Sequence, residues 1–205
     1  MLQRRILIQN KFYALLDQLA FWVTNAMLVS ALLVLVTVPF LAYRWAQLPF
    51  MGAFVEQTLV FNSVDTQGNA PWEGIEAGLK YPSQLISIDG GGVQSTAEIT
   101  KVLEKYSIGE DVTLQYDSGS SINQQKVKLQ KFPNYDFFAF FFVPYILGWA
   151  YLLIGLWVYR VKWHNITGRA FMIFCAAMSI SIGSLLDLYT THIYTWLWTI
   201  SLPIV

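Results

Sequence analysis

The sequence predicts an α+β chain. It combines a transmembrane α-helical bundle of three full spans and a partial fourth with a small β-rich domain inserted between spans 1 and 2. Three observations lead there. Of 205 residues, 55% are hydrophobic and only 13% charged, too apolar for an ordinary soluble domain. Long uncharged apolar runs flank one polar segment, residues 50–132. Within that segment, period-two alternation recurs between turn residues. The predicted division is residues 1–49 (a cytoplasmic N-terminus and span 1), 50–132 (the inserted domain) and 133–205 (spans 2, 3 and partial 4).

Span 1 runs from Leu19 to Tyr43 without a charge, enough helix to cross a hydrocarbon core about 30 Å thick. Arg4, Arg5 and Lys11 precede it as they would a signal peptide, but the apolar run is too long for a signal h-region. A retained anchor is expected. Span 2 covers Phe137 to Tyr159, and span 3 about Ala170 to Leu186. The run from Ile193 to Val205 contains Pro203 and is short for a crossing, so continuation in a longer multi-pass protein is expected.

Basic residues set the expected orientation. Arg4, Arg5 and Lys11 lie before span 1, and Arg160, Lys162 and Arg169 lie between spans 2 and 3. Both clusters fall on one side, which is then cytoplasmic, leaving the inserted domain extracytoplasmic. On this topology the sequon Asn165-Ile-Thr167 lies on the wrong face for glycosylation. Cys175, Ser179 and Gly183 form a small-residue stripe suited to close helix packing. Asp187 is expected at the membrane interface.

In the inserted domain, Thr58–Val64 reads as a strand, and Leu85–Ile88 as a short strand ending at Asp89-Gly-Gly-Gly92. Ser95-Thr-Ala-Glu98 is a capping-box pattern, with the helix continuing to about Tyr106 and Ile99, Val102, Leu103 and Tyr106 on one face. Val112–Tyr116 and Lys126–Gln130 alternate around the loop Asp117-Ser-Gly-Ser-Ser121. Six lysines face ten carboxylates in this domain, which argues against nucleic acid as a partner.

Ala77-Gly-Leu79, Ile86-Ser-Ile-Asp-Gly90, the helix from Ser95 and Gly109-Glu-Asp-Val-Thr-Leu114 stand in an order and at spacings that resemble a PDZ domain of the bacterial type. The Gly-Asp usual before one strand is here Ser83-Gln84. The resemblance implies a carboxylate-receiving loop at Met51, Gly52, Ala53 and Phe54, followed by a strand that pairs with a ligand, and a side-chain pocket lined by Ile99 and Leu103. It implies as partner a protein or peptide C-terminus, including that of another membrane protein, while the spans imply membrane lipid; an oligomer is compatible. The arrangement resembles the input regions of bacterial membrane signalling proteins in the bacterial plasma membrane. The alternative is a substrate-selecting or accessory subunit of a membrane protease.

No catalytic residue, cofactor or metal site is identified. The sequence has no His-Glu-x-x-His, no Gly-x-Ser-x-Gly and no phosphate-binding loop. The only cysteine, Cys175, lies among Phe174, Ala176 and Ala177, which excludes an intrachain disulfide and argues against a reactive thiol. The chain is thus not expected to be an enzyme, although a catalytic domain could follow Val205.

Overall fold

A computed structural model describes residues 2–205, with side chains from residue 15 onward. The side chains of Arg4, Arg5 and Lys11, which carry half of the charge argument for orientation, lie outside the described residues. Among the described residues, three helical stretches are long and apolar enough to cross a membrane: Leu15–Ala46, Asn134–Lys162 and Ile166–Gly183. The chain divides into two compact units, one of Tyr145–Ser184, Trp196–Val205 and the residues up to Thr37, the other of Val38–Pro144 and Leu185–Thr195.

The first unit is helical. Helix α1 (Leu2–Ala46) brings to it the part up to Thr37, and it packs with α5 (Val143–Lys162), α6 (Ile166–Gly183) and α8 (Thr195–Ser201). The small-residue stripe does what its spacing predicts. A Cβ added to Gly148 would lie 2.8 Å from the Cα of Gly183, and one added to Gly155 would lie 2.6 Å from the Cβ of Cys175. Backbones therefore approach where side chains are missing, with Cys175 buried as a core residue. The Tyr145 hydroxyl donates to the Leu35 carbonyl at 3.0 Å, so a polar group within a helix pair is internally paired.

Arg169 departs from expectation. Counted as a loop charge, it is instead a buried α6 residue, 5% exposed, whose Nη1 donates to Asp17 Oδ1 at 2.6 Å and whose Nε donates to the Trp163 carbonyl at 2.9 Å. Its charge is thus used inside the unit. Asn165 serves α6 as N-cap, its side chain accepting from the Thr167 N–H, which gives that side chain a structural task.

The second unit holds a four-stranded antiparallel sheet of spatial order β3-β2-β4-β5, formed by β2 (Gln84–Ile88), β3 (Gly91–Gly92), β4 (Asp111–Asp117) and β5 (Ile122–Lys128). The β4–β5 hairpin turns at the expected loop and pairs in continuous register from Asp111↔Lys128 to Asp117↔Ile122. Inward residues of the strands (Leu85, Ile88, Val112, Leu114, Val127) join Phe61, Leu79, Ile99 and Leu103 in one core. Helix α3 (Thr96–Leu103) starts at Ser95, whose side chain accepts from Glu98 N–H while Glu98 Oε2 accepts from the Gln94 N–H, one residue before the donor a standard capping box would use. Its regular part ends three residues before the expected Tyr106.

Other boundaries shift for physical reasons. The expected strand Thr58–Val64 is reduced to isolated bridges, Val55↔Phe61 and Val60↔Gln84, because the chain reverses at Leu59 with φ +64°. Helix α1 continues through Pro39. The stretch Phe138–Phe142 is a π-helical turn between α4 (Asn134–Phe137) and α5. The third span stops at Gly183, and a separate short helix, α7 (Leu185–Tyr189), follows. Asp187, just beyond the third span, is enclosed by protein. It is 3% exposed and accepts from the Thr191 hydroxyl and from the N–H groups of Ile193 and Tyr194 (3.1 and 2.8 Å), folding residues 187–194 into one compact turn.

Asp89, at the β2–β3 turn, is held left-handed (φ +47°) by two bonds: Oδ1 accepts from Thr113 N–H and Oδ2 from the Tyr106 hydroxyl, both at 2.7 Å. The Thr113 N–H, and next the Tyr106 hydroxyl, pull its carboxyl below the usual carboxylate value. A depressed folded-state pKa adds stability that is present above the unfolded value and lost as pH falls through the folded one. Asp89→Asn is therefore expected to destabilise the domain by about 1 kcal/mol at neutral pH, an exposed site being screened. It should also flatten the stability profile below about pH 4. Acid titration of tryptophan fluorescence in both variants checks this; parallel profiles would remove Asp89 from the account.

Candidate functional site

The loop after β1 (Pro49–Phe50) is built between two supports. On one side, β1 pairs antiparallel with β6 (Gln130–Lys131), tying the start of the domain to its end. On the other, Gly52 (φ +76°) lies directly against α2 (Glu73–Glu76), whose Ile75 N–H donates to the Gly52 carbonyl at 3.0 Å. A Cβ on Gly52 would sit 2.2 Å from the Gly74 nitrogen, and one on Gly74 would sit 2.3 Å from the Met51 carbonyl oxygen. Only glycine at both positions permits this backbone contact.

Met51, Ala53, Phe54, Ile99 and Leu103 line one cavity of about 50 Å³. The structure thus brings together five of the six residues named from the sequence. Gly52 is the exception, because it faces α2 and supports the loop from behind. The five are 2–7% exposed, and all but Phe54 belong to the domain core. A ligand site commonly holds about 300–1,000 Å³, so this one has room for a small side chain at most.

The strand edge beside the cavity shows why. Around the Val55↔Phe61 bridge, Glu56 N–H donates to Val60 O and Asn62 N–H to Phe54 O, both at 2.9 Å. Alternation then turns the polar groups of Val55 itself away from Phe61, to the open edge where an added strand would pair. The chain's own His192 meets that edge: its Nε2 lies 3.1 Å from the Val55 carbonyl oxygen. A carbonyl only accepts, so Nε2 carries the proton. Tyr189 and Thr190 complete the cavity lining, and the Tyr189 ring stacks on Phe54 (centroids 5.4 Å apart, planes 14° apart). Tyr189, Thr190 and His192 therefore cover this cavity and its edge.

Sequence reading missed this cover, and it missed the aromatic cluster in which Phe54 is embedded. Phe50, Phe54, Trp72 and Phe132 meet at centroid distances of 5.0–5.9 Å, with Trp45 and Phe140 at their margin. The signal available was the density of aromatics at both ends of the polar segment. No group of three or more His, Cys, Asp or Glu side chains able to hold a metal occurs among the described residues.

No protein-family model matches the chain, and no curated protein matches it. Among solved structures, it is similar to a crystal structure of an aminopeptidase N family protein from Idiomarina loihiensis, at 17% identity and a TM-score of 0.35. That likeness covers 43% of this chain and 15% of the other, too little and too distant to support a statement about fold or activity.

Proposed function

We propose that residues 50–132 are an extracytoplasmic PDZ-like module that binds a protein or peptide carboxyl terminus, mounted in the membrane-spanning input region of a bacterial signalling protein. The observation that supports it best is the convergence of Met51, Ala53, Phe54, Ile99 and Leu103 on one cavity beside a strand edge at Val55. A loop, an apolar pocket and an adjacent edge are the parts that strand addition requires. The orientation rests on the basic residues flanking the spans.

His192 and Tyr189 cover the groove, so an incoming peptide must displace them. The test uses the full chain in detergent and a peptide library with free or amidated C-termini, with the wild type compared to Tyr189→Ala/His192→Ala. Free carboxylates should be retained over amides, and retention should rise about tenfold in the double variant as the competing contacts are lost. Equal recovery of the two libraries in both proteins would rule out carboxylate recognition. Reporter fusions after Asn134 and Lys162 test the orientation independently.

A further inference from the structure

Tyr189 and His192 belong to a turn that is tied to itself at several points. The Asp187 carbonyl accepts from the Thr190 and His192 N–H groups at 3.2 and 2.8 Å. The Asp187 carboxylate accepts from the Thr191 hydroxyl and from the Ile193 and Tyr194 N–H groups. The Thr190 hydroxyl donates to the Leu186 carbonyl at 2.6 Å. Residues 186–194 are thus held as one body, whose tip is docked by the His192 Nε2–Val55 carbonyl bond and the Tyr189–Phe54 stack.

The joints at either end of this body are short. Ser184 alone separates α6 from α7, and Tyr194, the last residue bonded to Asp187, directly precedes α8. The two flanking helices are also fastened to each other. The Trp198 indole Nε1 donates to Ser184 Oγ at 3.0 Å, and that fully buried hydroxyl donates in turn to the Ile180 carbonyl at 2.6 Å. A loop held at its tip, through its middle and at its base gives first where it is held least. Hydrogen bonds to a carboxylate are about twice as strong as neutral ones, so the Asp187 turn is the last part to yield. The Ser184–Trp198 clasp is a single neutral bond. With so few residues between turn and clasp to absorb a movement, a displaced tip strains the clasp.

We infer that Leu185–Thr195 is a latch: docked through Tyr189 and His192 it keeps the Ser184–Trp198 clasp formed, and a ligand that lifts it from the groove loosens that clasp. What lifts the latch rests on the groove reading above; the coupling itself requires no ligand. The latch gives the groove an output, because occupancy is then felt at the end of the third span and in the helix that follows. Coupling between two places is reciprocal, so loosening the clasp must also release the cover.

The test uses the full chain in detergent micelles and approaches the latch from both ends. Solvent exchange of the Trp198 indole N–H is followed by NMR, its signal assigned by its loss in Trp198→Phe. In Tyr189→Ala/His192→Ala this N–H should exchange about tenfold faster than in the wild type. In the other direction, Trp198→Phe leaves Ser184 its bond to Ile180 and should speed backbone amide exchange across 185–195 about fivefold, read by mass spectrometry. Amides of β4, β5 and α5 serve as the folding control and should be unchanged in both variants. An unchanged Trp198 indole in the double variant, or unchanged exchange across 185–195 in Trp198→Phe, would overturn the latch even if peptides bind. A rise in β4, β5 and α5 equal to that across 185–195 would show general loosening and would overturn it as well. Both exchange effects together with equal recovery of free and amidated peptides would uphold the latch and remove only the carboxylate as its ligand.

Discussion

Replacing Asp136 with alanine is expected to destabilise the second unit by about 2–3 kcal/mol, since a buried donor left without its acceptor costs about 1–3 kcal/mol and part-buried donors add less. Asp136 lies in the first turn of α4 and is fully buried. Its Oδ1 accepts from Gln67 N–H at 2.7 Å, its Oδ2 from Trp72 Nε1 at 2.7 Å, and the Thr66 hydroxyl donates to the same carboxylate. Alanine would orphan all three donors at once. Asparagine should do less harm, because one of its two terminal groups still accepts, but the other is a donor facing donors. Trp72 contacts Phe50, Phe54 and Phe132, so a loosened indole reaches the candidate binding loop through the aromatic cluster. The expected result is a melting midpoint several degrees lower by tryptophan fluorescence and new protease cleavage between Asn62 and Trp72. An unchanged midpoint and digestion pattern in Asp136→Ala would show that the carboxylate is not an anchor.

Asp136 also illustrates where sequence reading stopped. Regular elements were legible because their signals are local. The Ser95–Glu98 pair marked the start of α3, and alternation marked β4 and β5 around their loop. The three spans were legible from length and lack of charge, which the bilayer demands of any crossing helix. The roles of Asp136, Arg169 and Asp187 were not, because each depends on partners that the fold brings from elsewhere or on a turn no pattern announces. Arg169 pairs with Asp17, 152 positions away, and Asp136 with residues 64 to 70 positions away. The same limit applied to the candidate site. The sequence placed Met51, Ala53, Phe54, Ile99 and Leu103 on suitable loop and helix positions, and they converge. It held no signal that Tyr189 and His192, more than 130 positions from Phe54 and Val55, would cover them. His192 also has a left-handed backbone (φ +55°), a conformation that a non-glycine residue does not announce in sequence.

The contact between Gly52 and Gly74 supports the second large effect. Gly52→Ala and Gly74→Ala should each cost about 3 kcal/mol, combining a backbone displacement with, at Gly52, a left-handed residue that gains a Cβ. The obstacle is main chain in both cases, the Gly74 nitrogen at 2.2 Å and the Met51 oxygen at 2.3 Å, so no rotamer change relieves it. Gly78 provides the control. It is also left-handed (φ +100°), but a Cβ there meets nothing within 4 Å, so Gly78→Ala carries only the backbone term of about 1–2 kcal/mol. The Gly52→Ala/Gly74→Ala pair should lose less than the sum of the singles, because the first substitution already parts the loop from α2 and breaks the Ile75–Gly52 hydrogen bond. Melting of the four variants and the wild type in one detergent decides this. Equal losses in Gly52→Ala and Gly78→Ala would mean that strain, not the interlock with α2, sets the demand for glycine. Strict additivity in the double variant would mean that the two glycines act separately. The expected order, with the Gly52 and Gly74 variants well below Gly78, would make α2 the part that holds the Met51–Phe54 loop in shape, whatever ligand that loop receives.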